Sequence, residues 1–460
     1  MKILHYSLGV PGFRSGGLTK YSMDLMIEEA KFGNEVFLIY PGEMTLSKET
    51  FIKRDKIYEG VKIYEIINPL PVPLTNGVKQ PELYCANIIE YKSNFKSWID
   101  KEKFDIVHIH TLMGLPIEFI EAINELEISI VYTTHDYYGI CPKVNLVRNN
   151  GKRCDNNNDY SACYDCCKNG FSYNKIKIMQ SKMYRNIKKL SWGRKVISLI
   201  KSKDNKKQVD NEASNEYSDF KVSYETQSKY KRLQDYYYDI FNRVDYYHFN
   251  STISKEIYEK YLGDIDGEVI SITHANINDN RHIKSFGERL KMIFLGNDSM
   301  HKGLSQLLLA LESIDTSLEN SWLLDIWGVE GESNYSNIVY KGKYSYNMLE
   351  VIFGEADLLV IPSMCYETFA FVGLEAYSNG VPVLSTNLVG FNDLIKDGVT
   401  GFIVESNTDS LKEKILSIIR DREQLLDVNR NICESTMDFG MESHVEEILE
   451  LYKKVNGRSI

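Results

Sequence analysis

Short apolar runs alternate with helical patterns along this chain, and this alternation is the strongest constraint on its fold. Near the start, Lys2–Tyr6 and Glu35–Tyr40 indicate buried strands, and Leu18–Phe32 between them indicates a helix that ends at Gly33-Asn34. Further strands are expected at 104–110, 128–134, 291–295, 322–327, 357–362, 382–386 and 401–404. Further helices are expected at 115–126, 303–314, 346–354, 371–379 and 408–420. The pattern predicts an α/β fold with parallel sheets covered by helices. Because it begins again after the polar stretch Asn276–Lys284, we expect two such domains.

Length, charge and hydropathy narrow the class of protein. At 460 residues with 43% hydrophobic residues, the chain is long and apolar enough for two cores. Its net charge is −10, so its overall field does not attract an anionic nucleotide, and local cations must hold any phosphate. The sequence contains no apolar run long enough to span a membrane, and Pro11-Gly12 interrupts the first apolar stretch too soon for a signal peptide. A cytoplasmic location is therefore expected, with the cysteines reduced or metal-bound.

Two carboxylates stand eight positions apart in the stretch Glu367-Thr-Phe-Ala-Phe-Val-Gly-Leu-Glu375. Glu367 follows the predicted strand that ends at Pro362-Ser363, and Glu375 lies on a helix predicted to begin near Phe371. In open α/β sheets, ligands bind beyond the carboxyl ends of the strands, and helix N-termini stabilise phosphates there. Carboxylates beside a phosphate site suit sugar hydroxyls, so the segment indicates a nucleotide-sugar site.

This segment resembles the E-x7-E signature of the retaining glycosyltransferases of family 4, which have the two-domain GT-B architecture. Other short motifs agree with the family in order and spacing: Lys302-Gly303, Ala356-Asp357, Glu375-Ala376, Gly380-Val-Pro-Val383 and Asp397-Gly-Val-Thr-Gly401. The resemblance is strong over residues 291–405 and looser over 1–40 and 104–136. Because the motifs form an ordered set, the resemblance is more specific than an isolated pair of glutamates.

The resemblance implies two Rossmann-like parallel-sheet domains that face each other across a cleft, with a C-terminal helix that returns to the first domain. The first domain is expected at 1–275, on the acceptor side, with a Cys-rich and basic insertion at about 140–235. The nucleotide-sugar-binding domain is expected at 276–436 and the return helix at 437–460. The implied reaction moves a hexose from a nucleotide-diphosphate sugar to a hydroxyl acceptor with retention, in surface polysaccharide or glycolipid assembly, and without a catalytic cofactor.

The resemblance also assigns roles to individual residues. Glu367, Lys302 and His135 are the expected catalytic residues, since they match family positions beside the donor sugar and its diphosphate. Glu375 is expected to hold the ribose. The remaining expected donor-binding residues lie in three loops: Gly16, Gly17, Gly296, Asn297, Phe369, Ala370 and Phe371. His108 and His110 alternate on the predicted strand 104–110 and are expected to have core or supporting roles.

Two departures from the family pattern favour a different class of function. Relatives usually carry Arg at the position of Asn297, and Asn lacks the forked donors of a guanidinium. Many relatives carry Gly at the position of Ala370, and Ala disfavours positive φ. The alternative is therefore a non-catalytic GT-B subunit that binds a sugar or a protein and supports a partner glycosyltransferase. Retention of both glutamates, Lys302 and His135 favours the enzyme.

The middle of the chain carries a cysteine cluster and a basic segment. Cys141, Cys154, Cys163 and Cys166 have spacings that allow a structural zinc site, with free thiols or a redox pair as the alternatives. Between Lys168 and Lys207 there are 13 Lys or Arg and a single acidic residue. Apolar residues recur among them at helical spacing: Ile176, Met179, Met183, Ile187, Leu190 and Trp192. This pattern predicts a helix that docks on an anionic membrane surface near a lipid-linked acceptor, or else a solvated surface helix. No base-stacking motif indicates nucleic acid.

Overall fold

The computed structural model describes residues 1–47, 49–189, 222–314 and 316–458. Their contacts divide into two units. Unit 1 contains the described residues of Met1–Val144, Asp155–Tyr247 and the chain from Leu451 onward. Unit 2 contains Asn145–Cys154 and the described residues of His248–Glu450. The domain boundaries predicted at 275/276 and 436/437 stay predictions.

The first sheet has eight strands in the order β3-β4-β2-β1-β5-β6-β7-β8. Its strands are β1 (Lys2–Tyr6), β2 (Glu35–Pro41), β3 (Phe51–Tyr58), β4 (Val61–Ile67), β5 (Ile106–Ile109), β6 (Ile130–Thr133), β7 (Tyr246–Phe249) and β8 (Gly267–Val269). Strand β1 pairs in parallel with both β2 and β5, whereas β3 pairs antiparallel with β4 at the edge. Strands β5 and β6 are buried along their whole length, which explains their continuous apolar sequence.

Helices alternate with the strands of this sheet along the chain. They are α1 (Gly17–Lys31), α2 (Lys92–Glu102), α3 (Ile117–Asn124), α4 (Tyr160–Cys167), α5 (Tyr173–Met179), α6 (Lys182–Lys189), α7 (Tyr224–Phe241) and α8 (Thr252–Leu262). Helix α1 buries Met23 and Met26 in a core with Val36 and Leu38 of β2. The helix ends where Gly33 takes a positive φ of 83°, as the Gly33-Asn34 pair predicts.

The second sheet has six strands, all parallel, in the order β11-β10-β9-β12-β13-β14. Its strands are β9 (Leu290–Leu295), β10 (Trp322–Trp327), β11 (Ile338–Gly342), β12 (Leu358–Ile361), β13 (Val383–Thr386) and β14 (Phe402–Val404). The remaining helices are α9 (Leu304–Glu312), α10 (Leu349–Glu355), α11 (Phe371–Tyr377), α12 (Thr408–Arg420), α13 (Glu423–Glu434) and α14 (Met441–Arg458). The chain order changes direction between β9 and β12, and such a switch point is where open α/β sheets bind ligands.

The expected α/β fold with two parallel sheets is confirmed. The pattern missed strands β3, β4, β7, β8 and β11. Strand β3 is an exposed edge strand whose charged residues hide any alternation. Helix α7 lies in a polar part of the sequence and still buries Tyr230, Leu233 and Tyr237. Among the described residues, no helix is both long enough and apolar enough to cross a bilayer.

Candidate active site

Glu367 lies in the loop between β12 and α11, as predicted, and its carboxylate is held from two sides. Oε2 accepts a hydrogen bond from Lys302 Nζ at 3.0 Å, and Oε1 accepts one from the Ser363 hydroxyl. The backbone N–H of Glu367 donates to Leu388 O at 2.9 Å, and its carbonyl accepts from Gly390 N–H at 2.9 Å. The side chain of Glu367 is 10% exposed and that of Lys302 is 33% exposed. The ion pair is therefore fixed in place and still open to a ligand.

The pair is charged near neutral pH. Burial raises the pKa of Glu367, but the charge of Lys302 and the hydrogen bonds from Ser363 and Lys302 outweigh burial, so the pKa lies below its ordinary value. Burial lowers the pKa of Lys302, and the attraction of Glu367 outweighs it, so this pKa is raised. The carboxylate can thus accept from a hydroxyl while the ammonium binds an anionic oxygen.

Gly303 explains how Lys302 reaches this position. A short 3₁₀ turn, Met300–Lys302, precedes Gly303, which takes a positive φ of 76° before α9 begins. A Cβ at Gly303 would stand 1.7 Å from Pro362 O, at the end of β12. Only glycine lets the two backbones approach this closely. The two residues of the Lys302-Gly303 motif therefore act together. The glycine allows the close approach to Pro362, and the lysine makes the ion pair with Glu367.

The two departures from the family pattern have structural counterparts. Asn297 is exposed, and its Oδ1 accepts from the backbone N–H of Ser299 at 3.0 Å, so the side chain shapes the turn after Gly296. Ala370 is the residue before α11 and has φ 78° and ψ 80°. Ala disfavours a positive φ, so the backbone is strained at this residue. Phe369 and Phe371 flank it, with ring centroids 5.5 Å apart.

Glu375 lies on α11, as predicted, and borders a pocket in unit 2. Its Oε1 is 3.1 Å from Nε2 of the buried His274, which fixes the orientation of the carboxylate. The pocket has a volume of about 560 Å³ and is also lined by Asn276, Ser345, Tyr346 and Glu350. This size falls within the range of small-molecule sites. His274 was missed because it lies between β8 and β9, where no periodic pattern singles it out.

His135 follows β6 in unit 1 and takes part in a chain of hydrogen bonds that reaches the buried Glu29. Glu29 Oε2 is 2.7 Å from His5 Nε2, His5 Nδ1 is 3.0 Å from His110 Nε2, and His110 Nδ1 is 3.3 Å from His135 Nε2. Because an ionised carboxylate only accepts, we assign the proton of His5 to Nε2. Each following histidine then donates through Nε2 and accepts at Nδ1. In the neutral His135 the lone pair is therefore on Nδ1.

A second branch of hydrogen bonds begins at the same carboxylate. Tyr452 of α14 donates to Glu29 Oε1 at 3.0 Å and lies 2.6 Å from His108 Nδ1, and His108 Nε2 is 2.6 Å from the Thr133 hydroxyl. As expected, His108 and His110 are buried. Sequence reasoning missed Glu29 and His5, which lie on α1 and β1 like ordinary core positions. A carboxylate at a core position of a helix is the signal that could have identified Glu29.

Within the described part of the chain, no cysteine cluster brings its thiols close enough together to hold a metal. Among the described residues, one group of at least three His, Cys, Asp or Glu side chains has its ligand atoms within 4.8 Å of one another: His5, His108 and His110. All six ring nitrogens of these histidines are within 3.3 Å of the partners given above. Of the predicted zinc ligands, Cys163 and Cys166 lie on α4, Cys141 is buried in unit 1 and Cys154 belongs to unit 2. Zinc binding stays a prediction.

The remaining predicted residues fall in loops or outside the described part of the chain. Gly16 precedes α1 with a positive φ of 113°, and a Cβ there would meet no atom within 4 Å. Gly17 begins the helix and is exposed. Of the proposed membrane-facing residues, Ile176 is buried, Met183 is 68% exposed, and Leu190 and Trp192 lie outside the described residues.

The fold is an α/β fold with two parallel sheets, and in unit 2 the candidate residues Lys302 and Glu367 lie beyond the carboxyl ends of strands. Two family models match the chain, one described as glycosyl transferases group 1 over residues 276–434 and one as glycosyltransferase family 4 over residues 15–157. The two matches together cover more than half of the chain. The chain therefore belongs to the family-4 glycosyltransferases, with the GT-B fold.

Known proteins agree with this assignment. Sucrose-phosphate synthase from Thermosynechococcus elongatus shares the fold with a TM-score of 0.58 at 14% identity, over 100% of both chains. HepE of Anabaena, whose structure was solved with UDP and glucose, has a TM-score of 0.56 at 13% identity over 98% of this chain and 99% of its own. An uncharacterized glycosyltransferase of Methanocaldococcus jannaschii is 27% identical over 169 residues, which is 36% of this chain and 48% of the relative. The chain spans about half or less of the length of the curated relatives it matches.

Proposed function

We propose that this chain is a retaining glycosyltransferase that moves a hexose from a nucleotide-diphosphate sugar to a hydroxyl acceptor. The observation that carries the proposal is the contact of Lys302 Nζ with Glu367 at 3.0 Å, at the carboxyl end of β12. Glu367 would accept hydrogen bonds from sugar hydroxyls, and Lys302 would stabilise the charge that develops on the leaving diphosphate. An ammonium in a water-poor site supplies that stabilisation electrostatically.

Glu375 and the pocket beside it support a nucleotide donor. The carboxylate is oriented by His274 and borders a pocket of about 560 Å³. A ribose carries two neighbouring hydroxyls that a fixed carboxylate can accept from. The Anabaena protein solved with UDP and glucose supports a nucleotide sugar as the class of donor.

His135 is the proposed sugar-facing residue of unit 1. Its lone pair on Nδ1, assigned from the hydrogen-bond chain to Glu29, makes that atom an acceptor for a hydroxyl. We propose that His135 orients a hydroxyl of the donor sugar or of the acceptor.

A donor screen followed by product analysis tests the proposal. Nucleotide sugars that raise the melting temperature of the protein would be incubated with it, and release of the nucleoside diphosphate would be measured. We expect one sugar class to be consumed, and the new glycosidic linkage to keep the anomeric configuration of the donor by NMR. A donor that stabilises the protein while no nucleoside diphosphate is released would refute the enzyme and support the non-catalytic subunit. An inverted linkage would refute retention.

The acceptor side is proposed to involve surface polysaccharide or glycolipid assembly at an anionic membrane. The basic segment from Lys168 onward supports this part, and flotation with vesicles tests it. We expect more protein to be recovered with anionic than with neutral vesicles. Equal recovery with both would refute membrane docking without affecting the proposed reaction.

A further inference from the structure

Two arginines of unit 1 carry buried N–H groups without acceptors. In the part of the chain that the structure describes, Nε and Nη2 of both Arg14 and Arg185 are buried and have no hydrogen-bond partner. A buried donor without an acceptor costs about 1–3 kcal/mol, and more when the group is charged. Native proteins rarely leave four such donors together without acceptors, so these donors indicate a place where an anionic ligand binds.

The two guanidinium groups lie around one aromatic ring. The Cζ atom of Arg14 is 4.6 Å from the centroid of the Phe13 ring, and that of Arg185 is 4.5 Å from the same centroid. Lys188 Nζ donates to Phe13 O at 2.8 Å and adds a third cation. Phe13 therefore contacts cations from both the β1–α1 loop and α6, which are far apart in the sequence.

The positive charge is only partly neutralised. Arg185 Nη1 donates to Glu65 Oε2 at 2.8 Å, and Lys53 lies 3.4 Å from Oε1 of the same carboxylate. Burial, and then the repulsion of Arg185, lower the pKa of Arg14 to about 10. An anion bound beside such a guanidinium stabilises its charged form, which burial and repulsion disfavour.

The pair also lies where a substrate binds in this kind of sheet. Arg14 lies in the loop after β1 and before α1. Its backbone N–H donates to Val10 O at 3.0 Å, which closes the turn. Tyr40 and Glu65 lie near the carboxyl ends of β2 and β4. This edge of an open α/β sheet is the usual ligand edge.

We propose that Arg14 and Arg185 form an oxyanion site that binds a phosphate group of the acceptor substrate. Two guanidinium groups match the several oxygens of a phosphate, since each can donate two parallel hydrogen bonds. The acceptor is favoured over the donor because the cation proposed for the donor diphosphate, Lys302, belongs to unit 2. The assignment of the phosphate to the acceptor substrate rests on the proposed function, whereas the oxyanion site itself does not.

Binding of inorganic phosphate and pyrophosphate, measured by calorimetry and by thermal shift, tests the site without any transfer reaction. We expect both ions to bind the wild type, and Arg14→Gln and Arg185→Gln to weaken binding about tenfold or more. Lys302→Gln should bind the ions as the wild type does at this site. Arg243→Gln is the matched control, because Arg243 pairs with Asp239 on the surface of α7. Absence of binding to the wild type, or binding to both arginine variants that is as tight as binding to the wild type, would overturn the site.

Folding and the source of the phosphate are tested separately. Circular dichroism and melting without phosphate should show that Arg14→Gln folds, since it removes a repelled charge. If it does not fold, Arg14→Lys replaces it, because a lysine keeps one charge and loses the fork. In transfer assays we expect the KM for a phosphorylated acceptor to rise about tenfold while the KM for the donor stays unchanged. A rise in the donor KM alone would overturn the assignment to the acceptor and leave the oxyanion site in place.

Discussion

Replacing Glu367 by Gln is expected to lower the rate of transfer strongly at a modest cost in stability. At the observed 3.0 Å, the attraction between Lys302 and Glu367 is about 5–6 kcal/mol at an effective dielectric constant of about 20, and desolvation offsets much of it. Loss of one partner costs about 0.2–1 kcal/mol for exposed pairs and about 3–5 kcal/mol for buried ones. Since these side chains are 33% and 10% exposed, we expect Glu367→Gln to lower the free energy of unfolding by about 1–3 kcal/mol.

A matched ion pair at the other end of the same strand provides the control. Arg422 lies 2.9 Å from Asp357, just before β12, and the two side chains are 20% and 8% exposed. Asp357 also accepts a second hydrogen bond, from the backbone N–H of Lys291, much as Glu367 accepts from Ser363. Asp357→Asn should therefore cost a similar free energy of unfolding while it leaves the proposed site intact.

Urea unfolding and nucleoside diphosphate release separate the two effects. We expect Glu367→Gln to lower kcat/KM by about a hundredfold or more, as removal of a group that acts in the transition state does, and Asp357→Asn to change it little. Wild-type rates in Glu367→Gln would refute the proposed role. Equal loss of activity in both variants would show that destabilisation, and not the missing carboxylate, causes it.

Three further predictions concern the hydrogen-bond chain, the strained loop and acid stability. Glu29→Gln should lower kcat about tenfold with the donor KM unchanged, because it replaces one of the two oxygens that accept from His5 and Tyr452 by an NH₂ donor and so weakens the control of the His135 tautomer; an unchanged kcat would contradict this. Ala370→Gly should raise the free energy of unfolding by about 1 kcal/mol, since glycine adopts φ 78° without strain, and a lower melting temperature would contradict it. Burial lowers the pKa of His248 to about 4 and that of His444 to about 3, whereas the unfolded residues bind protons near pH 6.5. The stability that the two neutral histidines contribute is therefore present above pH 6.5 and lost as the pH falls toward 4. In that range, His444→Phe should reduce the slope of the unfolding free energy against pH, measured with urea, by about 1.4 kcal/mol per pH unit. An unchanged pH slope would show that His444 titrates normally in the folded protein.

The sequence predicted the parts of the fold that follow simple periodicity. Strands β1, β9 and β12 are buried on both faces and therefore appear as continuous apolar runs. The positions of Glu367 in a loop and of Glu375 on a helix followed directly from the strand that precedes them. The edge strand β3 was missed because an edge strand pairs through its backbone and needs no apolar pattern.

The partners of the site residues were not predictable from the sequence. Ser363 and His274 contact Glu367 and Glu375 through tertiary structure, across 4 and 101 positions of the chain respectively. The same holds for Glu29, whose hydrogen bond to Tyr452 joins residues 423 positions apart. Local pattern gives the element on which a residue lies, whereas the partner of a buried polar group depends on which elements pack together.

Units 1 and 2 hold their candidate residues by different physical means. In unit 2 a charged pair, Lys302 and Glu367, is fixed by mutual attraction, so each partner keeps the other ionised. In unit 1 His135 is oriented through two imidazoles and a carboxylate, which is a way to fix a tautomer and not a charge. Under the proposed function, unit 2 would stabilise the charge of the leaving phosphate and unit 1 would orient a hydroxyl. The proposed transfer therefore does not require an Arg at position 297, because the ion pair at Lys302 provides a cation that Glu367 keeps protonated.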